Sequence, residues 1–215
     1  MSSQPHGGSD LAGAERKLSR PFGLADAAFA QKRPSKGLIT KSEVRAVSLY
    51  SLRLRRDSVV WDIGAGTGSV ALEAAWIACD GRVFAVERDD EGLALLRQNV
   101  HDLGTGNVEV VAGEAPQALE PLPDPDSVFV GGTGGRLREI ITTVDGRLSS
   151  GGVIVANFVA LERANEAHQL MVDLGLQTDL TLVSASRGKA LPDGSTRLEA
   201  MNPVFVITGQ KKSEM

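Results

Sequence analysis

From Ser58 onward, short apolar runs alternate with stretches in which apolar residues recur every three to four positions. The runs Ser58–Ile63, Arg82–Glu87, Val108–Ala112, Ser127–Val130 and Val153–Phe158 predict strands, and the segments Ser69–Ala78, Glu91–Leu103, Arg136–Leu148 and Leu161–Leu174 predict helices. Alternation of this kind builds a mostly parallel sheet with helices on both faces, an α/β fold. The ending differs: Thr178–Val183 and Val204–Thr208 read as two strands separated by a Gly/Pro-rich loop without a helical pattern, which predicts an antiparallel pair at the sheet edge. Ahead of the first strand, Thr40-Lys41-Ser42-Glu43 has the form of a capping box, with Thr40 capping a helix over Lys41–Leu52 and Glu43 bonding back to the cap amide. Residues 1–36 are rich in Gly, Ser, Ala and charge, contain Pro5, Pro21 and Pro34, and hold no sustained period, so they read as a flexible arm or interdomain linker before a domain at 37–215.

Composition adds exclusions. With 215 residues, 42% apolar and 23% charged, the chain has material for one sizeable core and is neither a fibrous repeat nor a disordered polymer. Its longest strongly apolar stretch, Val153 to Leu161, is far short of the ~20 residues a bilayer requires and contains Asn157, so no membrane partner is expected. The opening residues lack a signal-peptide pattern and Cys79 is the single cysteine, which precludes an internal disulfide and predicts a cytoplasmic setting. Cys79 itself reads as a small apolar residue near a helix end. His6, His101 and His168 are scattered without ligand spacing, so no metal site is expected. The net charge of −4 is uneven: residues 15–56 carry eleven Lys/Arg against three Asp/Glu, leaving twelve against twenty-four elsewhere. A basic stretch of net +8 faces either an anionic partner or solvent.

The first strand empties into a glycine-rich turn, Asp62-Ile63-Gly64-Ala65-Gly66-Thr67-Gly68. Glycine there permits positive φ and close approach of a ligand to the backbone, and the free amides at the following helix start attract polar groups. Counted from Gly64, the sixth position is Ser69, so the dinucleotide fingerprint is not met, and no Gly-Lys-Ser/Thr follows for a phosphate loop. The second strand ends in Glu87, a carboxylate able to accept bonds from both hydroxyls of a ribose. This glycine loop paired with Glu87 resembles the Rossmann-like class I methyltransferases dependent on S-adenosyl-L-methionine. The resemblance implies a seven-stranded sheet, a cofactor amino-acid moiety along Asp62, Gly64, Ala65, Gly66, Thr67 and Gly68, and a ribose on Glu87. It also places Gly113-Glu114-Ala115, after the third strand, beside the adenine.

After the fourth strand the chain reads Phe129-Val130-Gly131-Gly132-Thr133-Gly134-Gly135, which leaves no room for the Asn/Asp-Pro-Pro-aromatic motif of enzymes that methylate base amino groups. Dense glycine there can bring backbone amides close to a flat or anionic ligand. Together with Gly37-Leu38-Ile39-Thr40-Lys41-Ser42-Glu43-Val44-Arg45 and Asn202-Pro203-Val204-Phe205, these motifs resemble the decarboxylating precorrin methyltransferases of cobalamin biosynthesis. That family comprises the C-terminal domain of precorrin-6Y C(5,15)-methyltransferase and its stand-alone CbiT-like relatives. The resemblance runs from about Gly37 to Gly209. It implies methyl transfer to carbon 15 of a precorrin with loss of carbon dioxide from the ring C acetate, a homotetramer, and an N-terminal tetrapyrrole methylase domain for which Phe22 to Phe29 resembles the linker. Thr40 is then a further candidate for the cofactor carboxylate. A substrate bearing carboxylates calls for cations, for which Lys41, Arg45, Arg136, Arg187 and Lys189 are candidates around the Gly131, Gly132, Thr133, Gly134 and Gly135 loop. Two other readings stand beside this one: a tRNA ring-nitrogen methyltransferase using the +8 segment, and a non-catalytic cofactor-binding regulatory domain. Overall acidity and nine aromatic residues argue against a nucleic-acid partner.

Overall fold

The computed structural model describes residues 23–31 and 39–213. Residues 1–22, with His6 and Phe22, and Gly37 and Leu38 of the third motif lie outside the described residues. In chain order the elements are α1 (Ser42–Ser51), β1 (Val59–Ile63), α2 (Ser69–Ile77), β2 (Arg82–Glu87), α3 (Asp90–Leu103), β3 (Val108–Ala112), β4 (Ser127–Val130), α4 (Leu137–Arg147), β5 (Val153–Phe158) and α5 (Leu161–Asp173). Four strands follow: β6 (Gln177–Val183), β7 (Ser186–Ala190), β8 (Thr196–Ala200) and β9 (Val204–Gln210). The main sheet has seven strands in the order β3-β2-β1-β4-β5-β9-β6. β1 to β5 are mutually parallel, and β9 runs antiparallel to both of its neighbours, β5 and β6. The expected antiparallel pair is therefore present, with β9 hydrogen-bonded on both sides and β6 outermost.

The strands read as near-continuous apolar runs because both faces are covered. On one face Trp61, Ile63, Phe84 and Val128 pack under Ile140, Ile141 and Val144 of α4 and Ala164, Ala167 and Met171 of α5. On the other, Val60, Val83, Ala85, Phe129 and Val155 pack under α1, α2 and Leu96 of α3. Trp61 is fully buried, its Nε1–H donates to the Pro123 carbonyl at 3.1 Å, and the Arg147 guanidinium stacks 5.0 Å from its ring. Asn157, the polar residue in the most apolar run, donates from Nδ2 to Ser48 Oγ at 2.8 Å and so ties β5 to α1.

Four features differ from the sequence expectations. α1 begins one residue late, with Lys41 at its N-cap and no side-chain cap; the Glu43 carboxylate accepts instead from Arg187, at 2.7 Å from Nε and 2.6 Å from Nη2. A charge-assisted pair of bonds outcompetes one bond to a cap amide, so the capping box does not form. The loop after β6 contains the β7–β8 hairpin, paired from Ser186↔Ala200 to Ala190↔Thr196 and exposed along both strands. The third difference concerns the end of the arm. Residues 24–31 are docked: Phe29 is buried against Ile39 and Leu72, the Leu24 amide donates to Glu73 Oε1 at 3.0 Å, and Ala30 and Asn99 exchange two bonds. Cys79 is exposed just beyond α2, not packed as an apolar residue. No helix among the described residues is long and apolar enough to cross a membrane, and no group of three metal-ligating side chains occurs among them.

Candidate active site

Parallel strands in an open α/β sheet deliver their C-terminal ends to one edge, where ligands bind. The penultimate residue of β1, Asp62, has a buried side chain; Oδ2 accepts from the Ala71 amide of α2 at 2.9 Å, and Oδ1 has no partner among the described residues. Burial, opposed by the Ala71 bond and reinforced by the nearby Glu87 charge, raises the Asp62 carboxyl from 3.8 to about 7. The chain then turns through Gly64 (φ 73°) and Gly66 (φ 54°). A side chain at Gly64 would meet the backbone of Gly132, with the Cβ 2.6 Å from its nitrogen. The β1 and β4 loops are thus in direct backbone contact, and the Gly131 and Gly132 amides both donate to the Ile63 carbonyl at 2.9 and 3.2 Å.

Glu87 closes the adjacent side. Its Oε2 accepts from the Gly66 amide at 2.8 Å, and its Oε1 accepts from the Arg88 and Asp89 amides at 2.8 and 2.9 Å. Three backbone donors fix the carboxylate, and its remaining lone pairs are open to further hydroxyl donors. Gly92 leaves room for it, since a Cβ there would lie 3.1 Å from Glu87 Cγ.

These loops enclose a cavity of about 290 Å³, near the small end for small-molecule sites. It brings together Thr40, Asp62, Gly64, Ala65, Gly66 and Glu87 with Gly113, Glu114 and Ala115, and adds Gly131, Gly132, Thr133 and Gly134 from the fourth-strand loop. Thr67, Gly68 and Gly135 are not part of its wall. Thr67 is buried and its carbonyl accepts from Asn99 Nδ2 at 2.9 Å. Gly68 is the left-handed N-cap of α2, where a Cβ would lie 2.4 Å from a Leu96 methyl. Both shape the turn from beneath.

The proposed substrate cations lie elsewhere. Arg45 is 1% exposed and ion-paired to Glu73 at 2.8 Å and Asp26 at 3.2 Å; it also donates to the Thr40 carbonyl at 2.6 Å and stacks on Phe29. A guanidinium so enclosed cannot reach a ligand, and its work is to fasten residues 24–29 and Thr40 to α1 and α2. Arg187 joins Asp26 and Glu43, Arg136 joins Glu139 and Gln117, and Lys189 joins Glu199. Lys41 borders a second depression with Asp26 and Arg187. Of the described cations of the +8 segment, Arg55 meets Asp57 and Asp126 and Arg56 meets Asp80, in ion pairs on the protein surface. Sequence reasoning missed the apolar wall, including Ile39, Phe129 and Ile140, and it missed Arg88. The position of Arg88, next to a strand-end acid, was the available signal.

The strand order, the β1 glycine turn and the β2 acid together define a class I methyltransferase fold. An S-adenosylmethionine-dependent O-methyltransferase of Thermotoga maritima has this fold at 17% identity, with a TM-score of 0.69 over 84% of this chain and 69% of that one. Within the class, the chain belongs to the precorrin methyltransferase domain family, which it matches over residues 32–211. It is 43% identical over 172 residues, 79% of this chain and 87% of the relative, to the probable cobalt-precorrin-6B C(15)-methyltransferase (decarboxylating) of Pyrobaculum calidifontis. The crystal structure of precorrin-6y C5,15-methyltransferase from Geobacter metallireducens is 44% identical, with a TM-score of 0.84 over 88% of this chain and 98% of that one.

Proposed function

We propose that this protein transfers a methyl group from S-adenosylmethionine to carbon 15 of a precorrin-6-type macrocycle and promotes decarboxylation of its ring C acetate, in cobalamin biosynthesis. The observation that carries the reading is the joint cavity of the β1 and β4 glycine loops with three acids on its wall, in a chain of this family. The residues present fit the cofactor. An orphaned buried carboxylate oxygen on Asp62 calls for a cationic ligand group, and the Gly64–Gly132 backbone contact forms a cradle that any side chain would fill.

When bound, the cofactor supplies an electrophilic methyl group on a sulfonium. Asp62 supplies the counter-charge for its cationic end, and Glu87, already oriented by three amides, accepts its ribose hydroxyls. Glu114 stands where the adenine is expected. The remaining work is alignment and exclusion of water, for which Ile39, Phe129 and Ile140 line the wall. The macrocycle carbon supplies the electron pair for the new carbon–carbon bond. The acetate carboxylate leaves as carbon dioxide, its bonding electrons passing into the conjugated ring, and the methylene left behind takes up a proton from water to become a methyl group. No nucleophilic side chain is required by this sequence of events.

Incubation with S-adenosylmethionine and a precorrin-6 substrate, followed by mass spectrometry, is expected to show a product that has gained a methyl group and lost a carboxyl group. A macrocycle unchanged in mass would overturn the assignment. Assembly as a homotetramer is part of the same proposal, supported by the exposed β7–β8 hairpin with Leu198 75% exposed and by exposed Leu180 and Leu182 on the outermost strand β6. β9, inside the sheet, is not available for edge pairing. Light scattering that finds a monomer at micromolar concentration would remove it.

A further inference from the structure

Among the described residues the cavity wall contains a single cationic side chain, Arg88. It follows Glu87 directly, so the end of β2 presents an acid into the cavity and a guanidinium toward its rim. Both Arg88 and its partner Glu114 are about half exposed, at 52% and 44%, while lining the cavity, which places them where the cavity meets solvent. Nη1 of Arg88 is ion-paired to Glu114 Oε1.

The other contact is with the glycine loop. A Cβ built on Gly134 would lie 2.7, 2.8 and 3.0 Å from Nη1, Cζ and Nη2 of Arg88. Near-equal distances to three atoms of a plane mean that Gly134 lies against the flat face of the guanidinium. Glycine at 134 is what permits this stacking, and its φ of 58° suits glycine for a second reason. Arg88 therefore spans the rim, with one edge on the β3 loop and one face on the β4 loop. Its other N–H donors have no partner among the described residues, whereas Arg45, Arg136 and Arg187 each engage two or more groups away from this cavity.

We infer that Arg88 is the substrate-recognition residue of this site, binding a peripheral carboxylate of the macrocycle through the guanidinium edge left open by Glu114 and Gly134. The inference rests on the proposed function, which supplies a substrate bearing several carboxylates. A planar, permanently charged fork held against a loop is pre-organised for a carboxylate, so little conformational freedom is lost on binding. Glu114 then acts as a stand-in that holds the fork at the rim and competes with the incoming carboxylate.

The test is steady-state kinetics of precorrin methylation at saturating S-adenosylmethionine, with calorimetric titration of S-adenosylhomocysteine into the same proteins. Arg88→Gln is expected to raise KM for the macrocycle at least tenfold, and Arg88→Lys to restore part of it. Glu114→Gln, which removes the competitor, is expected to lower KM for the macrocycle. If the pair serves only to tie the two loops together, Arg88→Gln and Glu114→Gln will raise KM alike, and the inference is overturned; an unchanged KM in Arg88→Gln overturns it as well. Those results leave the proposed function standing, provided the parent protein turns over. A parent protein that binds S-adenosylhomocysteine yet neither binds nor methylates the macrocycle overturns the proposed function and this inference with it.

Discussion

The buried Asp62 makes ligand binding and stability depend on pH in opposite senses. In the folded protein its carboxyl titrates near 7 against 3.8 for the free residue, because burial disfavours the charged form. Below pH ~4 the group is protonated in folded and unfolded chains alike, so it costs nothing. Between ~4 and ~7 the unfolded chain ionises while the folded chain stays neutral, and folding is penalised by about 1.4 kcal/mol per pH unit, up to on the order of 4 kcal/mol above pH 7. A cationic ligand reverses this preference, since it binds the ionised form. At pH 6 about one tenth of the folded protein is ionised, so affinity for S-adenosylhomocysteine is expected to fall roughly tenfold from pH 8 to pH 6. Asp62→Asn removes the ionisation but leaves an amide nitrogen in the place of the unpartnered Oδ1, at a cost of about 1–3 kcal/mol. The variant should therefore be more stable than the parent by about 1–3 kcal/mol at pH 8, less stable below pH 4, and weak in binding with no pH slope. Calorimetry at pH 6, 7 and 8 with urea denaturation at pH 4 and 8 measures all of this. A flat affinity in the parent, or a slope retained in Asp62→Asn, would refute the reasoning.

Glu87→Gln keeps an oxygen for the loop amides but loses the charge, and is expected to weaken S-adenosylhomocysteine binding by about 1.5–3 kcal/mol; equal calorimetric affinities would remove the ribose assignment. Gly64→Ala places a methyl 2.6 Å from the Gly132 nitrogen at a φ of 73°, so a stability loss of about 2–5 kcal/mol is expected from strain and overpacking together. An unchanged urea midpoint would show that the two loops are not in contact. Arg187 holds the Glu43 carboxyl down to about 2 from 4.5, so this pair stabilises the fold above pH ~4.5 and loses that contribution as pH falls toward 2. Both side chains are more than a third exposed, which limits the effect of Arg187→Ala to about 1 kcal/mol or less at pH 7; a loss several times larger would mean that the hairpin is held there by more than these charges.

What could be read from the sequence follows from how each part is held. β1 to β5 were readable because burial on both faces forces unbroken apolar runs between glycine-rich turns, and every predicted strand boundary among them lies within one residue of the observed one. The β7–β8 hairpin was not, because Ser186-Arg187-Gly188-Lys189-Ala190 buries neither face and so carries no alternation. Residues 24–31 escaped for a related reason: one aromatic anchor, Phe29, and bonds to Glu73 and Asn99 fix them without any period. The glycine motif was found as a contiguous string, yet its last two members turn under the loop into the start of α2. Arg45 shows the limit most plainly. Its partners Glu73 and Asp26 lie 28 and 19 positions away, and nothing local separates a cation that folds inward from one that meets a ligand.

The distribution of charge around the cavity gives the site a direction. Asp62, Glu87 and Glu114 contribute three acids to its wall, against Arg88 alone among the described residues. The two deeper acids, at most 9% exposed, sit at the strand ends, and the exposed Arg88–Glu114 pair sits at the rim. An interior of this sign favours a ligand with net positive charge and opposes an anion in the same space. Under the proposed function, a polyanionic macrocycle is kept to the outside, where Arg88 is the single cation of the wall among the described residues. Of the cations that sequence reading offered for this purpose, Arg45 and Arg187 hold α1, residues 24–29 and the hairpin together, Lys189 pairs within the hairpin and Arg136 pairs with Glu139 and Gln117. The substrate's carboxylates are for that reason proposed to meet the residue beside Glu87.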